Sequence, residues 1–259
     1  MRTVRTIADL RAVLTGSSTG LVPTMGAFHD GHLSLFRAAR AENDLVVVSL
    51  FVNPAQFGPG EDPDSYPREE GRDERLAEEA GVDVVFAPAA GELYPPGFQT
   101  WVDVEEIARG LEGEHRPGHF RGVATICLKL FNIVRPQRAY FGQKDAQQLA
   151  VVRRMVRDLA LELDVRAVPT VRDADGLALS SRNGRLSPEE RGRALDLPRS
   201  LASAVGEPDP VSAARGSLNG LEPEYVEVLD LGDAKVLAAA IRVGSTRLID
   251  NVLLEGEIR

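Results

Sequence analysis

The segment Val22-Pro23-Thr24-Met25-Gly26-Ala27-Phe28-His29-Asp30-Gly31-His32-Leu33 combines a strand end, a glycine turn and two histidines within twelve residues. Residues 19–22 are short and β-capable, and apolar residues at helical spacing follow the stretch. It therefore predicts a turn that joins a buried strand to a helix. The start of such a helix offers unpaired backbone N–H groups and the positive end of the helix dipole, and both favour a phosphate.

The two histidines of this turn suit a nucleotide. His29 and His32 are three residues apart, so they lie on one side of the first helical turn and can donate to polyphosphate oxygens. Gly26 and Gly31 let a ligand approach the backbone closely, because neither has a Cβ. The structural alternative is that His29 caps the helix and His32 packs beneath it. The pattern H-x-G-H behind a strand favours the nucleotide site, and it resembles the motif of nucleotidylyltransferases and class I aminoacyl-tRNA synthetases.

Composition restricts the class of protein. With 259 residues, 43% hydrophobic and 27% charged, the chain fits one large and one smaller globular domain. We recognise no signal peptide and no run of about eighteen uncharged apolar residues, so we expect a cytoplasmic protein without a membrane partner. The net charge of −9 disfavours nucleic acid as a partner. The single cysteine, Cys127, excludes an intrachain disulfide and a thiolate zinc site, and its apolar surroundings predict a core position.

Strand and helix patterns alternate along the chain, which predicts a parallel α/β sheet. Pro169 interrupts the last strand of the large domain and indicates a sheet edge or a strand end. A further helix is predicted to begin at Pro188, with Ser187 as its N-cap and Glu190 closing a capping box. We predict helices at residues 4–14, 69–80, 123–134, 149–161 and around 234–240, and strands at 19–22, 45–52, 82–87, 100–104, 138–141, 165–171, 225–229 and 246–251.

Polar residues follow two of these strands directly. Asn53 and Gln56 come after residues 45–52, where ligands bind in a parallel sheet, and both can hydrogen-bond a polar substrate. Asn53 can equally cap a turn. Lys144 can reach a phosphate as a point charge. Asp145 can cap the next helix, hold a ribose hydroxyl or bind magnesium, and capping is compatible with either function.

Two further clusters suit an anion. His119 stands between two arginines just before a predicted helix, and a solvated basic turn is the alternative. The segment Ser180-Ser181-Arg182 offers two hydroxyls and a guanidinium for phosphate oxygens. Residues 58–68 are rich in glycine, proline and acids, which predicts a surface loop of the kind that covers a site.

Taken together, these segments resemble the pantothenate synthetase family, which joins pantoate to β-alanine at the expense of ATP. The resemblance implies an α/β fold, with a Rossmann-like parallel-sheet nucleotidylyltransferase domain at residues 1–171 and a smaller α+β C-terminal lid domain at 172–259. It also implies an AMP-forming ligase that works through a pantoyl adenylate. The segments occur in the family's order and span most of the chain: 23–32, 51–57, 66–68, 119–123, 142–145, 147–149, 180–183 and 246–251.

The resemblance also implies a role for individual residues. The catalytic set is His29, His32, Lys144, Ser180, Ser181 and Arg182, with His32 at the position of the general acid. Gln56 and Gln148 hold pantoate, Gln56 also lies near β-alanine, and Asn53, Tyr66 and His119 belong to the same substrate group. The ATP site comprises Pro23, Met25, Gly26, His29, Gly31, His32, Gly142, Lys144, Asp145, Val171, Leu179, Ser180, Ser181 and Arg182. The family is a homodimer that needs Mg2+, and Asp73 is the expected magnesium ligand.

The chain departs from the family pattern at a few positions. Leu179 replaces a methionine, Gly184 and Arg185 replace an Arg-Tyr pair, and Arg72 stands where relatives often have an acid. These departures bear on magnesium ligation near Asp73 and on closure of the lid. We expect residues 58–68 and the C-terminal domain to cover the site, because an acyl adenylate must be kept from water.

Two other functions fit parts of the pattern. The first is a cytidylyl- or adenylyltransferase that acts on a phosphorylated small molecule and uses no amine acceptor. Gln56 and Gln148 suit a hydroxy acid better than the phosphate of such a substrate. The second is a non-catalytic module that binds a nucleotide or a metal through the four histidines, which leaves Lys144 and Ser180 unexplained.

Overall fold

The computed structural model describes residues 1–14, 18–58 and 63–258. Gly16, where we expect the first helix to stop, and residues 59–62 of the predicted loop lie outside this range. The strands are β1 (Arg2–Val4), β2 (Thr19–Thr24), β3 (Leu45–Leu50), β4 (Val84–Phe86), β5 (Arg138–Gly142), β6 (Asp164–Val168), β7 (Pro223–Asp230), β8 (Ala234–Val243) and β9 (Thr246–Gly256). The helices are α1 (Ile7–Val13), α2 (Asp30–Glu42), α3 (Glu70–Glu79), α4 (Ala90–Leu93), α5 (Glu112–His115), α6 (His119–Val134), α7 (Ala146–Asp158), α8 (Pro188–Ala194), α9 (Asp196–Ser203) and α10 (Pro210–Gly216).

Within the described ranges, six strands form the sheet β1-β4-β3-β2-β5-β6, with parallel pairing of β2 to both β3 and β5. The run Val46 to Val48 in β3 is fully buried, as expected for a strand covered on both faces. Apart from β1, the order is that of a doubly wound nucleotide-binding sheet, and the direction of winding reverses between β2 and β5. The predicted α/β Rossmann-like fold is confirmed. Ligands bind in such sheets beyond the carboxyl ends of the strands at this reversal, where the His29 turn leaves β2.

The predicted helix at residues 4–14 is present as α1 but begins later, and the predicted strand at residues 100–104 is wrong. Val4 does not begin a helix, because it ends the short strand β1 and pairs with Phe86 of β4. Residues 100–104 form no strand: the backbone N–H of Val102 donates to the Thr125 hydroxyl at 3.0 Å. Trp101 stacks on the Tyr94 ring at 6.1 Å and remains 40% exposed. Trp101 therefore belongs to a local aromatic cluster and not to a sheet.

The C-terminal part is an α+β arrangement built on the antiparallel sheet β7-β8-β9. Leu201 of α9 and Leu237 of β8 belong to its hydrophobic core. The predicted helix around residues 234–240 is wrong, because these residues form β8, the middle strand. The predicted capping box at Ser187 and Glu190 is confirmed at the start of α8.

Of the described residues, those in Met1–Phe141 and Gln148–Val168 form one compact unit, and those in Gly142–Gln147 and Pro169–Arg259 form another. The predicted domain boundary between residues 171 and 172 stays a prediction. Cys127 lies in the core with 3% exposure, as expected. Among the helices that the structure describes, none is long and apolar enough to cross a membrane.

Candidate active site

The turn after β2 adopts an unusual backbone conformation. Gly26 has φ of +95°, and Ala27, which is not a glycine, has φ of +54°. A Cβ on Gly26 would approach Leu50 Cδ1 to 2.7 Å, so both the backbone angle and the space favour glycine. The predicted strand-to-helix turn is therefore a tightly packed segment, and it ends at His29.

His29 and His32 take part in the start of α2. His29 is the N-cap, and its Nδ1 accepts a hydrogen bond from Gly31 N at 3.2 Å. His32 Nδ1 accepts one from His29 N at 3.3 Å, and the ring centroids are 4.1 Å apart. A neutral imidazole whose Nδ1 accepts carries its proton on Nε2. His29 therefore caps the helix, as the structural alternative predicts. The cap uses Nδ1, whereas donation to a phosphate would use Nε2.

Asp73 lies beneath this turn with no solvent exposure. Its carboxylate accepts from Ala27 N at 2.8 Å and from Phe28 N at 2.8 Å, one bond on each oxygen. Burial raises the pKa of Asp73, while the two backbone N–H groups and Arg72 oppose that rise.

These contacts do not fit the expectation that Asp73 is a magnesium ligand. A buried carboxylate with a backbone N–H on each oxygen is a poor partner for an ion that usually keeps several water ligands. Within the described chain, no group of three or more His, Cys, Asp or Glu residues is placed to hold a metal ion.

Asn53 and Gln56 lie beyond β3 and are almost completely buried. Asn53 Nδ2 donates to Gln56 Oε1 at 2.9 Å and to Gly122 O at 3.1 Å, while its Oδ1 accepts from Ala55 N. Asn53 therefore caps the 3-10 turn Pro54–Gln56, as the alternative interpretation holds. It also fixes the Gln56 amide, because an oxygen that accepts from Asn53 places the Nε2 donor on the other side of that amide.

His119 is the first residue of α6 and not the residue before it, because Gly118, with φ of +82°, ends the preceding turn. Its Nδ1 donates to Gln56 O at 3.0 Å, and its Nε2 accepts from Arg116 Nη1 at 3.1 Å. These partners describe a neutral ring with the proton on Nδ1. His119 is buried and holds the backbone of Gln56, so the solvated basic turn is not what the structure shows.

Lys144 lies in the 3-10 turn Gln143–Asp145 that follows β5. Its Nζ donates to Leu179 O at 2.9 Å, which brings two of the predicted phosphate-binding segments together. Burial lowers the pKa of Lys144, and the nearby Asp145 and Asp250 oppose that change. Asp145 itself is exposed.

Residues of β9 support this turn. Asn251 Nδ2 donates to Gln143 O at 2.9 Å and to Lys144 O at 2.8 Å, which uses both hydrogens of the amide. The neighbouring Asp250, 2% exposed, accepts from Arg172 at 2.6 Å and 3.0 Å in a bidentate ion pair.

The remaining predicted residues lie in loops, at a helix start and at the end of β2. Ser180 Oγ accepts from Arg182 N at 3.2 Å, so the serine and the arginine share one tight turn. Tyr66 packs edge-on against Phe57, with ring centroids 6.5 Å apart. Gln148 lies in the first turn of α7, and the Val171 carbonyl accepts from Leu179 N at 3.0 Å. Pro23 lies near the end of β2, and Met25 opens the turn that follows it.

A family model described as pantoate-beta-alanine ligase matches residues 2–253 of the chain. The chain belongs to the pantoate–β-alanine ligase family. It is 50% identical to the pantothenate synthetase of Acetivibrio thermocellus and 53% identical to that of a Roseiflexus species. Each alignment covers 98% of this chain and 100% of the relative. The family predicted from the sequence is thereby confirmed.

Solved structures of the family agree with this fold. Pantothenate synthetase from Thermus thermophilus superposes with a TM-score of 0.93 at 48% identity, over 98% of this chain and 99% of that one. The enzyme from Francisella tularensis, described as complexed with beta-gamma ATP and beta-alanine, gives a TM-score of 0.85 at 34% identity over 100% of both chains.

Several contacts around the predicted site residues are not predicted from the sequence. Gly122 permits the contact of α6 with Ala55, since a Cβ there would lie 2.2 Å from Ala55 O. Asn251 and Asp250 lie in a segment that carries the family resemblance, but the sequence does not show that Asn251 bonds the Lys144 turn or that Asp250 pairs with Arg172. Arg72 donates to Phe28 O at 3.1 Å. Sequence spacing gave no signal for these contacts, because their partners are tens of residues away.

Proposed function

We propose that this chain catalyses the ATP-dependent condensation of (R)-pantoate with β-alanine to pantothenate. The observation that carries the proposal is the match to the pantoate–β-alanine ligase family over residues 2–253. The Francisella tularensis relative, described with an ATP derivative and β-alanine, supports the identity of two of the substrates.

The chemistry requires activation of the acid. A pantoate carboxylate oxygen attacks the α-phosphorus of ATP and the bond to the β-phosphate oxygen breaks, which gives pantoyl adenylate and pyrophosphate. The β-alanine amine then attacks the acyl carbon, a C–N bond forms, AMP leaves, and the amine nitrogen loses a proton. Since both steps depend on positioning and charge stabilisation, no protein nucleophile is needed.

In this proposal His29 and His32 donate from Nε2 to the phosphates, with His32 as the general acid. The Lys144 ammonium, together with the Ser180-Ser181-Arg182 segment, neutralises charge that develops during transfer. Gln56, held by Asn53 and His119, donates from its amide to pantoate, and Gln148 is assigned to the same substrate.

Magnesium, the homodimer and the cytoplasmic location are further parts of the proposal. Magnesium is assigned to the phosphates of ATP, because it commonly binds through substrate phosphates and water. No catalytic step is assigned to it. Light scattering after size-exclusion chromatography tests the dimer, and a twofold mass relative to the 28.0 kDa chain is expected.

The decisive experiment measures pyrophosphate and AMP release from ATP with magnesium. The reaction receives D-pantoate alone, β-alanine alone, or both. We expect sustained release only with both substrates, and pantothenate formed in equal amount. Tight ATP binding without release under any of these conditions would reject the ligase and favour a nucleotidyltransferase, to be tested with phosphorylated acceptors.

A further inference from the structure

The turn that presents His29 is held in a strained form. Ala27 has φ of +54°, a region that residues with a Cβ seldom occupy, and it follows Gly26 at +95°. Backbone of this kind persists only where its surroundings fix it, and it clusters at functional sites. The surroundings here are the first turn of α3.

Two consecutive residues of α3 bind two consecutive residues of the turn. Asp73 accepts from Ala27 N and Phe28 N at 2.8 Å each, and Arg72 Nη1 donates to Phe28 O at 3.1 Å. Because Asp73 has no solvent exposure, these backbone groups take the place of water around its carboxylate.

We propose that Asp73 is a positioning residue that fixes the Ala27–Phe28 backbone and thereby sets His29 and His32, and that it is not a metal ligand. Phe28 leads directly into His29, the N-cap of α2, and the Phe28 ring lies 5.4 Å from the His32 ring. A shift of this backbone therefore moves both imidazoles. The inference rests on the proposed function wherever activity is the readout.

The first test compares Asp73→Asn with Glu79→Gln, which removes one acid from an exposed position of the same helix. The amide introduced by Asp73→Asn has the same shape as the carboxylate but turns an N–H toward a backbone N–H, so one of the two bonds is lost. We expect Asp73→Asn to lower kcat at least tenfold and to leave the KM for pantoate within twofold. Glu79→Gln should match the parent.

The magnesium dependence separates positioning from ligation. For a positioning residue, the magnesium concentration that gives half-maximal rate stays within twofold of the parent. A rise of fivefold or more in that concentration, with the rate restored at high magnesium, would overturn the proposal. Neither a purely structural loss nor a smaller amount of folded protein shifts this concentration.

A second variant tests the strain itself. Glycine tolerates positive φ, so Ala27→Gly removes the conformational cost that Asp73 opposes. Asp73→Asn lowers kcat by a certain factor in the parent. We expect that factor to be at least threefold smaller in the Ala27→Gly background. Equal losses in both backgrounds would contradict the proposal. If Asp73→Asn does not fold alone, the double variant is expected to recover folding, and failure to do so counts against the proposal.

A readout without catalysis keeps this inference separate from the proposed function. The chain has four histidines, so the ring signals of His29 and His32 can be resolved by 15N NMR. We expect Asp73→Asn to shift both sets of signals and Glu79→Gln to leave them in place. If the parent shows no ligase activity, the proposed function fails while this measurement still tests the role of Asp73. Unshifted histidine signals in a folded Asp73→Asn variant would reject it.

Discussion

Replacement of Gly122 by alanine probes how closely α6 must approach the turn that holds Gln56. A Cβ at residue 122 would lie 2.2 Å from Ala55 O, 2.5 Å from Ala55 C and 2.9 Å from Gln56 N. All three neighbours are backbone atoms, so no flexible side chain can move aside. The Gly122 carbonyl also accepts from Asn53 Nδ2, which ties the same contact to the Gln56 amide.

The expected effect follows from these distances. Ordinary contact begins near 3.4 Å, so the Ala55 carbonyl must retreat from 2.2 Å by about 1 Å. A misplacement of about 1 Å in a substrate-positioning group can cost about 100-fold in rate. Overpacking costs about 1 to 3 kcal/mol, but alanine gains about 1 kcal/mol over glycine inside a helix. We therefore expect a large kinetic effect with only a modest loss of stability.

The assay measures kcat/KM for pantoate from AMP release at saturating ATP and β-alanine, together with the melting temperature. Gly122→Ala should lower kcat/KM for pantoate about 100-fold. The control is Gly91→Ala in α4, because a Cβ on Gly91 meets no atom within 4 Å. If kcat/KM of Gly122→Ala stays within threefold of the parent value, the close approach of α6 is not what positions Gln56.

Three further predictions concern the other groups of the site. His32→Ala should lower kcat by the factor that corresponds to a loss of about 3 to 4 kcal/mol of transition-state stabilisation. Near-normal turnover would remove His32 from the mechanism. Asn251→Ala should raise the KM for ATP, and it should lower the free energy of unfolding, measured in urea, by about 1 to 3 kcal/mol for each carbonyl left without its donor. The side chain of Asn251→Asp cannot donate either, so this variant should lose a similar free energy of unfolding. Because burial lowers the pKa of Lys144 below 10.5, the unfolded chain holds that proton more tightly than the folded one. The parent should therefore gain stability relative to Lys144→Met as the pH rises through the lowered pKa toward 10.5, and a pH-independent difference would contradict this.

The sheet could be predicted because its strands are buried runs bounded by turn residues. The run Val46 to Val48 is continuous, apolar and β-branched, and such a run has few alternatives to a buried strand. The strand β1 could not be predicted, because its three residues are too few to show an alternation of apolar and polar side chains. It is stabilised by its pairing with β4, which local sequence does not show.

The alanine-rich strand β8 shows where local preference fails. Alanine is the best helix former, and residues 234–240 contain four alanines, so a helix was the natural prediction. The segment is instead the middle strand between β7 and β9, and residues on both of its faces are buried. Small side chains fit such a doubly covered strand, and the pairing on either side outweighs the helix preference.

For the candidate site, the sequence predicted residue types at strand ends but not their partners. The resemblance implies that Lys144 and Leu179 both belong to the ATP site, but it does not show the 2.9 Å bond that joins these two residues, which are far apart in sequence. The resemblance implies that Asp73 binds magnesium, and the sequence does not show that this residue is buried beneath Ala27. Long-range contacts decide whether an acid faces solvent or the backbone, and spacing alone contains no information about them.

The capping and phosphate-binding interpretations of His29 can be separated because they use different nitrogens. The cap requires an acceptor at the position of Nδ1, whereas donation to a phosphate requires Nε2. An asparagine at residue 29 supplies a carbonyl oxygen near Nδ1 and is among the best N-caps, but it has no atom at the position of Nε2. His29→Asn should therefore keep its melting temperature within a few degrees of the parent while kcat falls at least tenfold. His29→Ala should lose both, because it also lacks the cap, worth about 1 kcal/mol. An active His29→Asn enzyme would show that His29 serves only as the cap of α2.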